Sequence, residues 1–130
     1  MRKFFVSLLS LSICFLLLAD KKKAEEVKKI GSPAPAGASV KEVEVRASKG
    51  EFNPAVIEVP AGTLLRLHLK STDKEHGFEL KTIKDSCVKF KPDAPITFEF
   101  YADKAAEYEF KCCKFCGGGH GKMKGKLVVE

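Results

Sequence analysis

An all-β sandwich of about seven or eight short strands is the fold the sequence predicts for residues 40–130. Apolar residues alternate with polar ones at period two from Val40 onward. Turn-forming residues punctuate that alternation at short intervals. No part of this stretch carries the periodicity of an amphipathic helix, and no internal repeat is visible.

The strands follow in order. Val43 and Val45 alternate with Glu42, Glu44 and Arg46; Ile57 and Val59 flank Glu58; Leu65, Leu67 and Leu69 alternate with Arg66, His68 and Lys70. Phe78 and Leu80 flank Glu79, and Val88 and Phe90 flank Lys89. Ile96, Phe98 and Phe100 alternate with Thr97 and Glu99; Tyr108, Phe110 and Cys112 alternate with Glu109 and Lys111; Leu127 and Val129 close the chain. Asn53-Pro54, Pro60-Ala61-Gly62, Asp73 and Pro92-Asp93-Ala94-Pro95 lie between them as turns.

Ahead of this domain the composition differs. Met1-Arg2-Lys3 is basic, Phe4 to Leu18 is apolar and Ala19 is small, the layout of a secretory signal peptide. Leu17 and Lys21-Lys22-Lys23 depart from the ideal, so an uncleaved membrane tether through residues 4–18 is the alternative. The run is shorter than the roughly 20 residues of a membrane span. Cys14 reads as a plain cysteine of the apolar run. Residues 20–39 are expected to be poorly ordered: a charged segment to Ile30, in the manner of a frayed helix, then a Pro/Ala/Gly linker. Either leader places the domain outside the cytoplasm, in a periplasm or an equivalent space.

Net charge is +6. Residues 1–40 hold seven basic and three acidic side chains, against sixteen and fourteen in residues 41–130, so the folded part is only mildly basic. Nucleic acid is therefore not an expected partner, since its binders carry a dense basic face. Nothing resembles a substrate-activating base or nucleophile, and no catalytic residue is assigned.

The chemistry concentrates in Cys112-Cys113-Lys114-Phe115-Cys116-Gly117-Gly118-Gly119-His120-Gly121-Lys122-Met123. Thiolate, imidazole and thioether together favour copper over magnesium, calcium or manganese. Structural zinc sites share the Cys and His but rarely include a methionine. Glycines at this density let one short loop gather its donors around a point. A second contribution comes from His76, which opens a strand after the turn Ser71 to Glu75; in a sandwich that strand tip can meet the loop between the last two strands. Of the other cysteines, Cys87 reads as an inert thiol and Cys113 as a passive neighbour facing away from Cys112, with a Cys87–Cys113 disulfide as the alternative. The crowding of Cys112, Cys113 and Cys116 into one loop favours a metal over a disulfide framework. His68 reads as an exposed surface residue.

These residues resemble a cupredoxin. Phe52-Asn53-Pro54, Ile57-Glu58-Val59-Pro60-Ala61-Gly62 and Leu65-Arg66-Leu67 are similar to the early strands of that family, whose fold is a Greek-key β-sandwich. The spacing Cys-x3-Cys-x3-His-x2-Met, with His76 upstream, resembles the dinuclear copper (CuA) domain of cytochrome c oxidase subunit II and nitrous oxide reductase. The resemblance implies two copper ions bridged by Cys112 and Cys116. It implies one imidazole ligand on each, His76 and His120, with Met123 and the backbone carbonyl of Lys114 as axial ligands. Lys114 stands where oxidase subunits have a glutamate that also reaches magnesium, so no such magnesium site is expected. The chain has no tryptophan, the residue through which those subunits receive electrons.

The resulting expectation is a copper-binding electron carrier serving a cytochrome or respiratory oxidase. A Cu(I) chaperone or storage protein and a mononuclear blue copper protein are the alternatives. Lys111, Lys114, Lys122, Lys124 and Lys126 surround the loop; ordinary solubility explains them, and a docking rim for an acidic redox partner is the sharper reading.

Overall fold

The computed structural model describes residues 25–114, 117 and 120–130, with His120 described by its backbone alone. The apolar run at residues 4–18 lies outside these residues. Within them, no helix is long and apolar enough to cross a membrane.

Among the described residues, ten strands form two five-stranded sheets. The strands are β1 (Glu26–Ile30), β2 (Ser39–Ser48), β3 (Glu51–Asn53), β4 (Val56–Val59), β5 (Thr63–Ser71), β6 (His76–Leu80), β7 (Val88–Phe90), β8 (Ile96–Ala102), β9 (Ala106–Lys111) and β10 (Lys124–Val129). One sheet runs β1-β8-β5-β2-β3 and the other β4-β10-β9-β6-β7. Both are mixed: β1 and β8, β2 and β5, and β4 and β10 pair in parallel, while the remaining neighbours are antiparallel.

The alternation in the sequence is the inside–outside alternation of these strands. Leu65, Leu67 and Leu69 of β5 are buried, as are Ile57 and Val59 of β4 and Leu127 and Val129 of β10. Four phenylalanines tie the layers together. Phe52 and Phe98 come from one sheet and Phe78 and Phe110 from the other. The Phe78 ring lies 5.6 Å from Phe52, 5.1 Å from Phe98 and 5.0 Å from Phe110, centroid to centroid. The contacts with Phe52 and Phe98 are edge-on, an arrangement the ring quadrupoles favour.

The sandwich is as expected, with more strands than anticipated. Glu26–Ile30, expected as a frayed helix, is instead an edge strand paired in parallel with β8, Ile30 opposite Phe100. Four of its five residues are exposed and only Ile30 is buried, so backbone pairing rather than a patterned face holds it. His68, expected at the surface, is partly covered: Nδ1 lies 3.1 Å from Thr97 Oγ1 and Nε2 3.3 Å from Glu42 Oε1.

Candidate metal centre

The register of three strands assembles the site. Strand β9 lies between β10 and β6. Its last residue, Lys111, is paired with Glu79 on one side and Lys124 on the other. One step beyond, Cys112 sits between the start of β6 and the residue preceding β10. Its N–H donates to the Met123 carbonyl at 3.0 Å. The Gly77 N–H points to Cys112 Sγ at 3.4 Å, across 35 residues of sequence. The thiol donates in turn to the Lys114 carbonyl at 2.9 Å. His76, Cys112 and Met123 are all buried. His76, Cys112, Met123 and the Lys114 carbonyl thus converge on one end of a sheet. His120–Lys122 form a single turn of 3-10 helix leading into Met123. Cys116 and the side chain of His120 lie outside the described residues.

The imidazole of His76 is oriented. Its Nε2 lies 2.6 Å from Asp73 Oδ1. A carboxylate accepts only, so Nε2 carries the proton and Nδ1 keeps its lone pair. Nδ1 is buried and has no hydrogen-bond partner among the described residues. A buried, unpaired nitrogen is costly in a protein with nothing to bind, and suits a metal ligand. Asp73 is held in turn. Partial burial alone would raise its carboxyl, but the Lys49 N–H, the His76 ring and the Lys74 N–H outweigh that and hold it well below the usual carboxylate range.

Gly77 permits the close approach of the loop. A Cβ there would lie 2.6 Å from Cys113 Sγ and 2.7 Å from the Lys114 nitrogen. The basic rim is less bare than the sequence suggests. Lys114 Nζ meets Glu75 at 2.7 Å and Lys111 Nζ meets Glu79 at 3.4 Å, acids supplied by β6 and the turn before it.

Cys87 and Cys113 are joined in a disulfide, Cα to Cα 6.0 Å. This corrects the reading of Cys87 as an inert thiol and of Cys113 as a passive neighbour. The reason is the pleat: with Cys112 turned inward, Cys113 turns toward β7, where it meets Cys87. Glu79, Cys87 and Cys113 bring their donor atoms within 4.8 Å of one another. With the two sulfurs bonded to each other, that group offers no thiolate.

Residues 8–129 match the family described as cupredoxin-like domain. The chain belongs to the cupredoxin-like domain family. Among its curated relatives, cytochrome c oxidase subunit 2 of Thermus thermophilus is 32% identical over 79 residues, covering 61% of this chain and 58% of that protein. The cupredoxin-like chain therefore spans little more than half of that relative's length. Among solved structures, a chain of a heme-copper terminal oxidase dimer aligns with a TM-score of 0.62 at 25% identity, covering 82% of this chain and 74% of the other. Auracyanin A, a blue copper protein of Chloroflexus aurantiacus, aligns with a TM-score of 0.58 at 17% identity, covering 71% of this chain and all of its own, which extends the likeness in fold alone.

Sequence reasoning missed Asp73 within this cupredoxin-like frame. The signal was available: it precedes His76 by three residues in a turn, the separation of a carboxylate that caps back onto an imidazole. The disulfide had a weaker signal. Setting aside Cys14 and the pair in the Cys-x3-Cys spacing leaves two cysteines to account for.

Proposed function

We propose that this chain is an extracytoplasmic electron-transfer protein carrying a CuA-like dinuclear copper centre. The observation that carries the reading is His76: buried, with the tautomer set by Asp73 and Nδ1 left without a hydrogen-bond partner among the described residues, at the end of the sheet where Cys112 and Met123 are also buried. Cys112 and Cys116 would hold the copper through their thiolates, His76 and His120 through imidazole nitrogens, Met123 through its thioether and Lys114 through its carbonyl. Copper bound there supplies a one-electron couple. Soft sulfur donors with imidazole are the set that selects it.

The chain's own residues account for the rest. The Gly77 N–H donates to the Cys112 sulfur and stabilises negative charge on it. Strands β6, β9 and β10 hold the donors on a hydrogen-bonded frame, and the Cys87–Cys113 disulfide ties the loop to β7. Donors fixed this way move little when the charge of the site changes, which keeps reorganisation small. A disulfide fits a compartment outside the cytoplasm. Likeness to oxidase subunit 2 supports a respiratory oxidase or cytochrome as partner.

Copper loading of the full chain tests this reading. The expected result is two copper ions per chain and an EPR hyperfine pattern from one electron shared by two nuclei, both lost in Cys112→Ser. A single ion with the simpler hyperfine pattern of one nucleus replaces it with the mononuclear reading. Tight Cu(I) binding with ready transfer to an acceptor, and no reversible redox cycling, replaces it with a delivery role.

A further inference from the structure

We propose that Cys87 and Cys113, once their disulfide is reduced, form with Glu79 a surface site for Cu(I), one residue from Cys112. The proposal rests on the function above only for where the ion goes next.

Three observations carry it. The donor atoms of Glu79, Cys87 and Cys113 lie within 4.8 Å of one another. Two sulfurs sharing one ion at bonds of about 2.3 Å, the zinc–thiolate length, stand no more than about 4.6 Å apart, a separation that the 6.0 Å between the Cα atoms of this pair permits. The group also grades from outside to inside: Cys87 is exposed, Glu79 and Cys113 are half-buried, and Cys112 is buried. An ion taken up by the outer pair is thus held one residue along the chain from the inner donor. Finally, Gly77 leaves room for Cys113 Sγ directly over β6, the strand that His76 opens.

A dithiol reductant supplies the two electrons. One of its thiolates attacks the exposed Cys87 sulfur, and Cys113 leaves as a thiolate. The second reductant thiol then resolves the mixed disulfide, giving oxidised reductant and two cysteine thiols. Cu(I) binding displaces their two protons. Thiolates are soft donors and select Cu(I), with the Glu79 carboxylate as a weaker third contact. In the disulfide form both sulfurs are consumed, so the site exists only after reduction.

The test titrates the full chain anaerobically with Cu(I) against a chromophoric Cu(I) chelator, comparing disulfide-intact protein with protein reduced by a dithiol that is then removed. The reduced form is expected to hold one more equivalent than the intact form, and Cys87→Ser to lose that increment under both conditions. Glu79→Gln, which keeps both sulfurs and the disulfide, is expected to keep the increment. Equal stoichiometry in the two states, or an increment surviving in Cys87→Ser, overturns the proposal. The intact form reports separately on the loop. No copper in that form, with the increment present, overturns the proposed function and leaves this site standing.

Discussion

Nε2 of His76 lies 2.6 Å from Oδ1 of Asp73, three residues back along the chain. That contact decides which imidazole nitrogen is available. It also makes Asp73 a positioning residue for the site without placing it among the donors.

Removing the carboxylate should therefore release the tautomer. In metal-free protein above the titration range of histidine, nitrogen NMR of His76 is expected to show the Nε2–H form alone in the parent chain. Asp73→Asn keeps an accepting oxygen and should keep that form, whereas Asp73→Ala should give a mixture. Copper affinity in Asp73→Ala is expected to fall by about 10- to 100-fold, the usual cost of losing such a support.

Asp73 also sets an acid limb for folding. Its carboxyl titrates lower in the folded chain than in the unfolded one. The unfolded state thus binds more protons near pH 4, and stability rises with pH through that region. The contribution is complete above the unfolded value, about 3.9, and is lost as pH falls toward the folded one. Urea midpoints of the metal-free protein between pH 3 and 6 should show a steeper decline for the parent chain than for Asp73→Asn.

Gly77 is where the loop meets β6 most closely. An alanine methyl there would overlap Cys113 Sγ and the Lys114 backbone, neither of which is a flexible chain end. Gly77→Ala is expected to cost about 1–3 kcal/mol in urea unfolding, as overpacking does. Gly121→Ala is the control: apart from its chain neighbours, no atom of the described residues lies within 4 Å of a Cβ placed there, and the change should stay within about 0.5 kcal/mol.

Phe78 is fully buried and touches rings from both sheets. Phe78→Ala should destabilise the fold by about 3–5 kcal/mol. Chemical denaturation measures it, and a loss under about 1 kcal/mol would mean that the sheets do not meet on this ring.

Strands with one face in the core were legible because burial leaves its period in the sequence. Leu65, Leu67 and Leu69 on β5 and Ile96, Phe98 and Phe100 on β8 all point inward. β1 was not legible for the converse reason. Its residues Glu26 to Lys29 are exposed, so their side chains carry no pattern, and the hydrogen bonds that make it a strand come from β8, far along the chain. The burial of Cys112 and Met123 at the two ends of the loop follows the soft-donor spacing read from the sequence, since that loop is local. The Asp73 contact was not legible, and the Cys87–Cys113 bond was legible only as an alternative, because each depends on which way a side chain turns once the sheets have formed.

By itself the sequence determined a two-layered β fold, a loop of soft donor residues and an upstream histidine at the start of a strand. Tertiary structure decided which nitrogen of His76 is offered, which cysteine faces inward, and which one is spent in a covalent bond at the surface. The division is physical. Residue type and short-range periodicity follow from local chemistry, whereas orientation and pairing follow from the pleat and the register of strands brought together across 26 residues between Cys87 and Cys113 and 35 between Gly77 and Cys112.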